Sequence, residues 1–288
     1  MQDWLPDESD GSFPTQPTPK RTAPNNPRIR IAAHKCHVIV VYSLSGGTGK
    51  TTIATNVAAA LQSEGERVLL MDCALQSGDV GVFLNLQSQY SIRDLVLSAD
   101  NLHDELVDKA LVNHVSGIKV LLAPRTLQDA EGIRADTVVQ IIEKLRPRFD
   151  FIVIDSASQL DDLCIRLLDA AEHILLVANP NLPSVKNTRT VLNLIDGLHY
   201  SANKSQLVIN RANASLEKAR VSISVAAIEN NLKRKAFGVI PMDERRVQAA
   251  INRGNAIIDK EKNNSPAKEL IELANALINL CKGIGHAS

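Results

Sequence analysis

Along most of the chain, short runs that are apolar at nearly every position alternate with stretches whose apolar residues recur every three or four places. The runs are "HVIVVYS" (37–43), "RVLLMD" (67–72), "IKVLLA" (118–123), "FIVID" (151–155), "ILLVAN" (174–179), "QLVIN" (206–210) and "AFGVI" (236–240). Most are rich in β-branched residues, as strands buried on both faces are. Between them, Ile53, Val57 and Leu61 predict a helix stopped by Gly65. Val138, Val139, Ile142 and Leu145 predict another, ended by Pro147. Leu270, Leu273, Leu277 and Ile278 form the stripe of a last helix. Strand–helix alternation of this kind predicts an α/β fold: a doubly wound, mostly parallel sheet with helices on both faces.

The first 35 residues break the pattern. Pro6, Pro14, Pro17, Pro19, Pro24 and Pro27 are set among polar residues, acidic at first and then basic. Such a segment buries too little apolar surface to offset ordering, so residues 1–35 are expected to be a disordered tail. It reads as a spacer or as a partner-binding arm. Residues 36–288 are then one folded domain. No apolar run reaches the ~18 residues that span a bilayer. With a polar, acidic start in place of a secretory signal, the expected location is cytoplasmic.

Composition narrows the function classes. Charged residues are 22% of the chain, net charge is zero and aromatics are only 3%. A nucleic-acid surface built on base stacking is disfavoured, although a local basic face stays open. Lys233-Arg234-Lys235 and Arg245-Arg246 are such candidates, against the reading of solvated helix ends. The four cysteines are scattered, without a C-x-x-C pair, and read as reduced thiols. The histidines lack H-x-x-x-H spacing, and none is assigned to metal.

The chemistry starts at "SLSGGTGKTT", residues 43–52, between the first strand and the first helix. Gly46, Gly47 and Gly49 let backbone N–H groups converge on phosphate oxygens. The helix beginning near Lys50 adds its positive end. Lys50 is placed to reach the β- and γ-phosphates and the Thr51 hydroxyl to hold Mg²⁺. The loop's nucleotide contacts are Gly46, Gly47, Thr48, Gly49, Lys50, Thr51 and Thr52. A glycine-rich turn without a ligand is the alternative, and GKT between strand and helix argues against it.

The loop resembles the deviant Walker A loop of the MinD/ParA family of P-loop ATPases, whose core is K-G-G-x-G-K-[ST]. The resemblance covers residues 38–280 and implies ATP and Mg²⁺ as cofactors. It implies that Asp72, at the end of "RVLLMD", is a catalytic carboxylate beside Lys50. It implies that Asp155, ending "FIVID", is a Mg²⁺ ligand through water, together with Thr51. Asn210 and Arg211 in "VINR" would face adenine, with Pro241 and Met242 in the following base-lining segment "VIPMDERRVQAAINRGNAII". Within the family, "LQSGDVGVFLNLQ", "SIRDLV" and "LLAPRTLQDAEGI" resemble the CpaE/TadZ branch of Tad (Flp) pilus assembly. The tail stands where many members of that branch carry a receiver-like domain.

Two positions depart from the family. Ser45 replaces the signature lysine that crosses to the partner's phosphates, and Ala74 replaces a second acid that positions the attacking water. Asp79 is a possible stand-in. The resemblance then implies an ATP-binding homodimer with weak or absent hydrolysis. It would localise or assemble a Tad/type IV-like pilus or secretion machine, recruited by partners to the cell pole or inner membrane. The alternatives are a ParA-like partition or cargo-positioning ATPase on nonspecific DNA, and a nucleotide-free scaffold. A membrane-targeting end, as in MinD proteins, is weighed against packing of the last helix on the sheet.

Overall fold

Each fully apolar run becomes a strand, since a segment apolar on both sides is satisfied only where both sides are covered. The computed structural model describes residues 35–201, 203–260 and 262–283. Its strands are β1 (His37–Tyr42), β2 (Val68–Cys73), β3 (Leu111–Asn113), β4 (Lys119–Leu121), β5 (Phe151–Ser156), β6 (His173–Ala178), β7 (Ser205–Ala212) and β8 (Ala236–Pro241). They form one sheet in the order β3-β4-β2-β5-β1-β6-β7-β8. All neighbours run parallel except β3 and β4. The expected tail lies outside the described residues but for Lys35.

Alternation along β1 separates two cores. Val38, Val40 and Tyr42 face helices Ala135–Leu145, Asp162–Ala170 and Leu182–Gly197. Ile39 and Val41 face α1 (Lys50–Ser63) and the last helix, Ala267–Cys281. The first helix ends as its glycine predicts. Gly65 is left-handed (φ 90°), its N–H donates to the Gln62 carbonyl and the Glu66 N–H to that of Leu61.

Two local departures have simple causes. Strand β3 was not expected, because three residues between a helix and a turn carry no readable period. The expected strand 118–123 contracts to Lys119–Leu121. Its flanking carbonyls are used elsewhere: Ile118 accepts from the His114 N–H and Leu122 from that of Ile92.

The basic clusters are largely neutralised within the chain. Arg234 pairs with Asp196, Lys235 with Glu229 and Arg246 with Asp243. Cys36, Cys73 and Cys164 are buried free thiols, and Cys281 is half-buried. No helix among the described residues is long and apolar enough to cross a membrane.

The last helix buries Leu270, Leu273, Ala274 and Leu277 against α1 and β8. Replacing Leu277, fully buried, with alanine should lower unfolding free energy in urea by about 2–5 kcal/mol. A loss below about 0.5 kcal/mol, the range of surface substitutions, would show that this helix is not docked.

Candidate functional site

Parallel strands bring their C-terminal ends to one edge, and the strand order turns at β1, with β5 on one side and β6 on the other. Ligands of such sheets lie in the crevice at this switch point. Residues 43–49 cross it. Gly47 and Gly49 are left-handed (φ 68° and 92°), which lets the loop curl before α1 begins. Asn210, on β7, donates from Nδ2 to the Thr48 carbonyl at 2.8 Å. A Cβ on Gly49 would lie 2.3 Å from that nitrogen. The loop is therefore gripped from a strand 162 residues away in sequence.

The register sets the acidic side of the site, since Asp72 on β2 stands directly opposite Asp155 on β5. Thr51 Oγ1 donates to Asp155 Oδ2 at 2.7 Å. Asp155 Oδ1 is buried without a hydrogen-bond partner. Asp72 Oδ1 accepts from the Ala74 N–H (3.2 Å) and Oδ2 from the Val80 N–H (3.1 Å), which folds the intervening loop over it. Gly78 in that loop has no room for a side chain, since a Cβ would sit 2.6 Å from Asp72 Oδ2.

Both carboxyls are held above the usual range. Burial, followed by the charge of Asp155, pushes Asp72 up to about 8. Burial pushes Asp155 up to about 6 against the pull of Thr51 and Lys50. Asp79 is exposed, and its charge raises both. A hydroxyl, two acids and an orphaned carboxylate oxygen form a hard-oxygen set that fits Mg²⁺.

Lys50 is engaged on the other side of the loop. Its Nζ donates to Ser158 Oγ at 2.6 Å, and Ser158 Oγ donates to the Ser45 carbonyl at 3.3 Å. Burial lowers the lysine's pKa, opposed by the charge of Asp155. Ser45 Oγ accepts from Asn187 Nδ2 at 3.0 Å, so this position is tied to the helix after β6 of its own chain. Ala74 is 8% exposed and brings no polar atom to the site.

The base-side residues also converge. Asn210, Arg211, Pro241 and Met242 line one cavity of about 190 Å³ with Gly49 and Thr52. Val247, Gln248 and Ile257 complete it from within the segment already singled out, and Leu270 comes from the last helix. Asn56 was missed altogether. Its Oδ1 accepts from the Ile257 and Ile258 N–H groups (2.7 and 3.3 Å) and its Nδ2 donates to the Thr52 carbonyl. A buried asparagine on an otherwise apolar helix face was the available signal.

Two outcomes follow from this geometry. Gly49→Ala should weaken binding of a fluorescent ATP analogue by about fivefold or more, as the free loop leaves the left-handed turn to escape strain of ~1–2 kcal/mol. The paired acids give a pH dependence of stability. Their folded pKa values lie above the unfolded ones, so their contribution is full below the ordinary carboxylate range. It is lost as pH rises through about 6 and then about 8. The melting temperature of the Mg²⁺-free protein should fall across that window, and Asp72→Asn should flatten the upper half. A flat wild-type profile would contradict the burial-raised pair.

Residues 36–209 match the family described as AAA domain. The septum site-determining protein MinD of Thermotoga maritima is 28% identical over 259 residues, covering 86% of this chain and 94% of that protein. A ParA family ATPase from Chlorobium tepidum superposes with a TM-score of 0.77 at 23% identity, over 85% of this chain and 100% of that one. The MinD of Pyrococcus horikoshii, complexed with Mg-ADP, superposes at 0.74 with 20% identity, over 87% and 99%. The match spans well over half the chain and agrees with the sheet order and the loop, so the chain belongs to the AAA domain family, among the MinD/ParA-type P-loop ATPases.

Proposed function

We propose that this protein binds Mg-ATP at the β1–α1 loop and uses the nucleotide to hold a homodimer, with weak or absent hydrolysis. The observation that carries the proposal is the pairing of Ser45 with Asn187 inside one chain. A short neutral side chain, tied down at home, offers a partner's phosphates no cation. In related chemistry an inserted arginine is worth ~10³–10⁵ in rate. The backbone amides, Lys50, Thr51 and Asp155 supply ground-state grip, which their retention preserves. Thr51 and Asp155 would hold Mg²⁺, whose charge offsets that of the phosphates. Lys50 would exchange Ser158 for phosphate oxygens. Mg-ADP is bound by the Pyrococcus horikoshii MinD, which supports the same ligand class here.

The same edge carries exposed apolar residues that suit a second copy. Leu127, Leu160 and Leu182 are 61%, 42% and 76% exposed, and each follows the C-terminal end of a different strand, β4, β5 or β6. We place the homodimer on this face. Its task would be to localise or assemble a Tad/type IV-like pilus machine, as the resemblance to the CpaE/TadZ branch suggests. Pole or inner-membrane recruitment would then come from partners.

Single-turnover hydrolysis tests the switch. The wild type should stay well below about 1 s⁻¹, and Ser45→Lys with Ala74→Asp should raise its rate by about tenfold or more. A wild-type rate on the order of 1 s⁻¹ or above would overturn it. Light scattering should show a dimer with ATP that Lys50→Ala abolishes, and a monomer with and without ATP would contradict the dimer. Deleting the gene should remove surface pili. Salt-dependent binding to nonspecific DNA would favour the partition reading instead.

A further inference from the structure

A second cluster of chemistry lies at the opposite edge of the sheet. His37 opens β1 and His173 opens β6, in neighbouring strands. The six residues of β1 run from His37 to the phosphate loop, a span of about 20 Å. The two imidazoles stack with centroids 6.1 Å apart and planes 17° apart. Cys281, the final residue of the last helix, reaches the same place from above. A nitrogen from each ring and the Cys281 sulfur all lie within 4.8 Å of one another.

Ordinary core packing leaves this cluster unexplained. His37 is 9% exposed, and its Nδ1 is buried without a hydrogen-bond partner. The Nδ1 of His173 is in the same condition. Two orphaned imidazole nitrogens side by side represent lost hydrogen bonding of roughly 1–3 kcal/mol each unless something else occupies them. Desolvation lowers the pKa of both rings, with the charge of Lys35 acting in the same sense and that of Glu172 in the opposite one. Neutral rings keep a lone pair free.

We propose that His37, His173 and Cys281 form a binding site for a borderline-soft divalent cation of the Zn²⁺ class. Two imidazoles and one thiolate are the donor set such ions prefer over Mg²⁺ or Ca²⁺. Tetrahedral Zn–N and Zn–S bonds place ligand atoms about 3.5 Å apart. The three donor atoms, within 4.8 Å of one another, need close only slightly to reach that separation, and Cys281 is half-buried at a helix end. On binding, the Cys281 thiol gives its proton to solvent and the sulfur bonds the metal. Water would take the fourth position. The site would fasten the end of the last helix to β1 and β6, on the edge away from the nucleotide.

The test uses the full chain, stripped with chelator and kept in excess Mg²⁺ so that the carboxylates beside Thr51 are occupied. Zn²⁺ uptake is measured by elemental analysis and by competition with a chromophoric chelator, and Co²⁺ serves as a spectroscopic probe. One Zn²⁺ per chain is expected, with a thiolate-to-cobalt charge-transfer band in the near ultraviolet. Cys281→Ser should abolish that band, and both it and His173→Gln should weaken Zn²⁺ binding by about tenfold or more. Zn²⁺ should raise the melting temperature of the wild type and leave that of Cys281→Ser unmoved. No uptake by the wild type, cobalt binding without the band, or equal Zn²⁺ affinity in wild type and both variants would each overturn the site.

Discussion

Two carboxylates buried side by side repel each other and forgo their hydration, and Asp72 and Asp155 stand in that relation at the ends of adjacent strands. The surrounding groups answer this constraint. Thr51 donates to one acid, backbone N–H groups of Ala74 and Val80 to the other, and the Lys50 charge stabilises the ionised form of Asp155. Gly78 is the residue that lets the β2 loop close over Asp72. The acids also govern stability, since the protein folds most readily with them protonated or beside a cation. A site that would gain by admitting a cation is thus built into the register of β2 and β5.

Asp72 holds the backbone as well as standing at the site. It accepts two backbone hydrogen bonds that shape residues 74–80, and it faces Asp155. Asn210 behaves in the same way. Its amide holds the Thr48 carbonyl while the residue lines the base-side cavity. A nucleotide arriving there meets a loop already fixed from β1, β5 and β7.

The sheet could be read from the chain because its central strands are apolar on both faces, and that pattern has few other uses. Strand β3 could not, being three residues long and paired antiparallel at the edge. In the site, the glycines, Lys50, Thr51 and Asp155 carry their own spacing. Ser158, Asn187 and Asn56 do not. Their partners lie 108, 142 and 201 residues away, so only the folded chain brings them together. The cluster of His37, His173 and Cys281 was invisible for the same reason. No local spacing connects the starts of two strands with the end of the last helix.

On the proposed reading, one loop residue, Ser45, separates binding from turnover. The groups that grip a ground-state phosphate are backbone amides, a lysine and a magnesium ligand, and they belong to the loop and to β5. A group that acts across a dimer must project away from its own chain, and Ser45 points its hydroxyl inward to Asn187. By the resemblance to the family, Ala74 stands where a second acid would position the attacking water. Interactions that strengthen only in the transition state raise rate, whereas those shared with the ground state raise affinity. On the proposed reading both departures would subtract from the first class and leave the second intact, an asymmetry that would favour a nucleotide-held assembly over a motor.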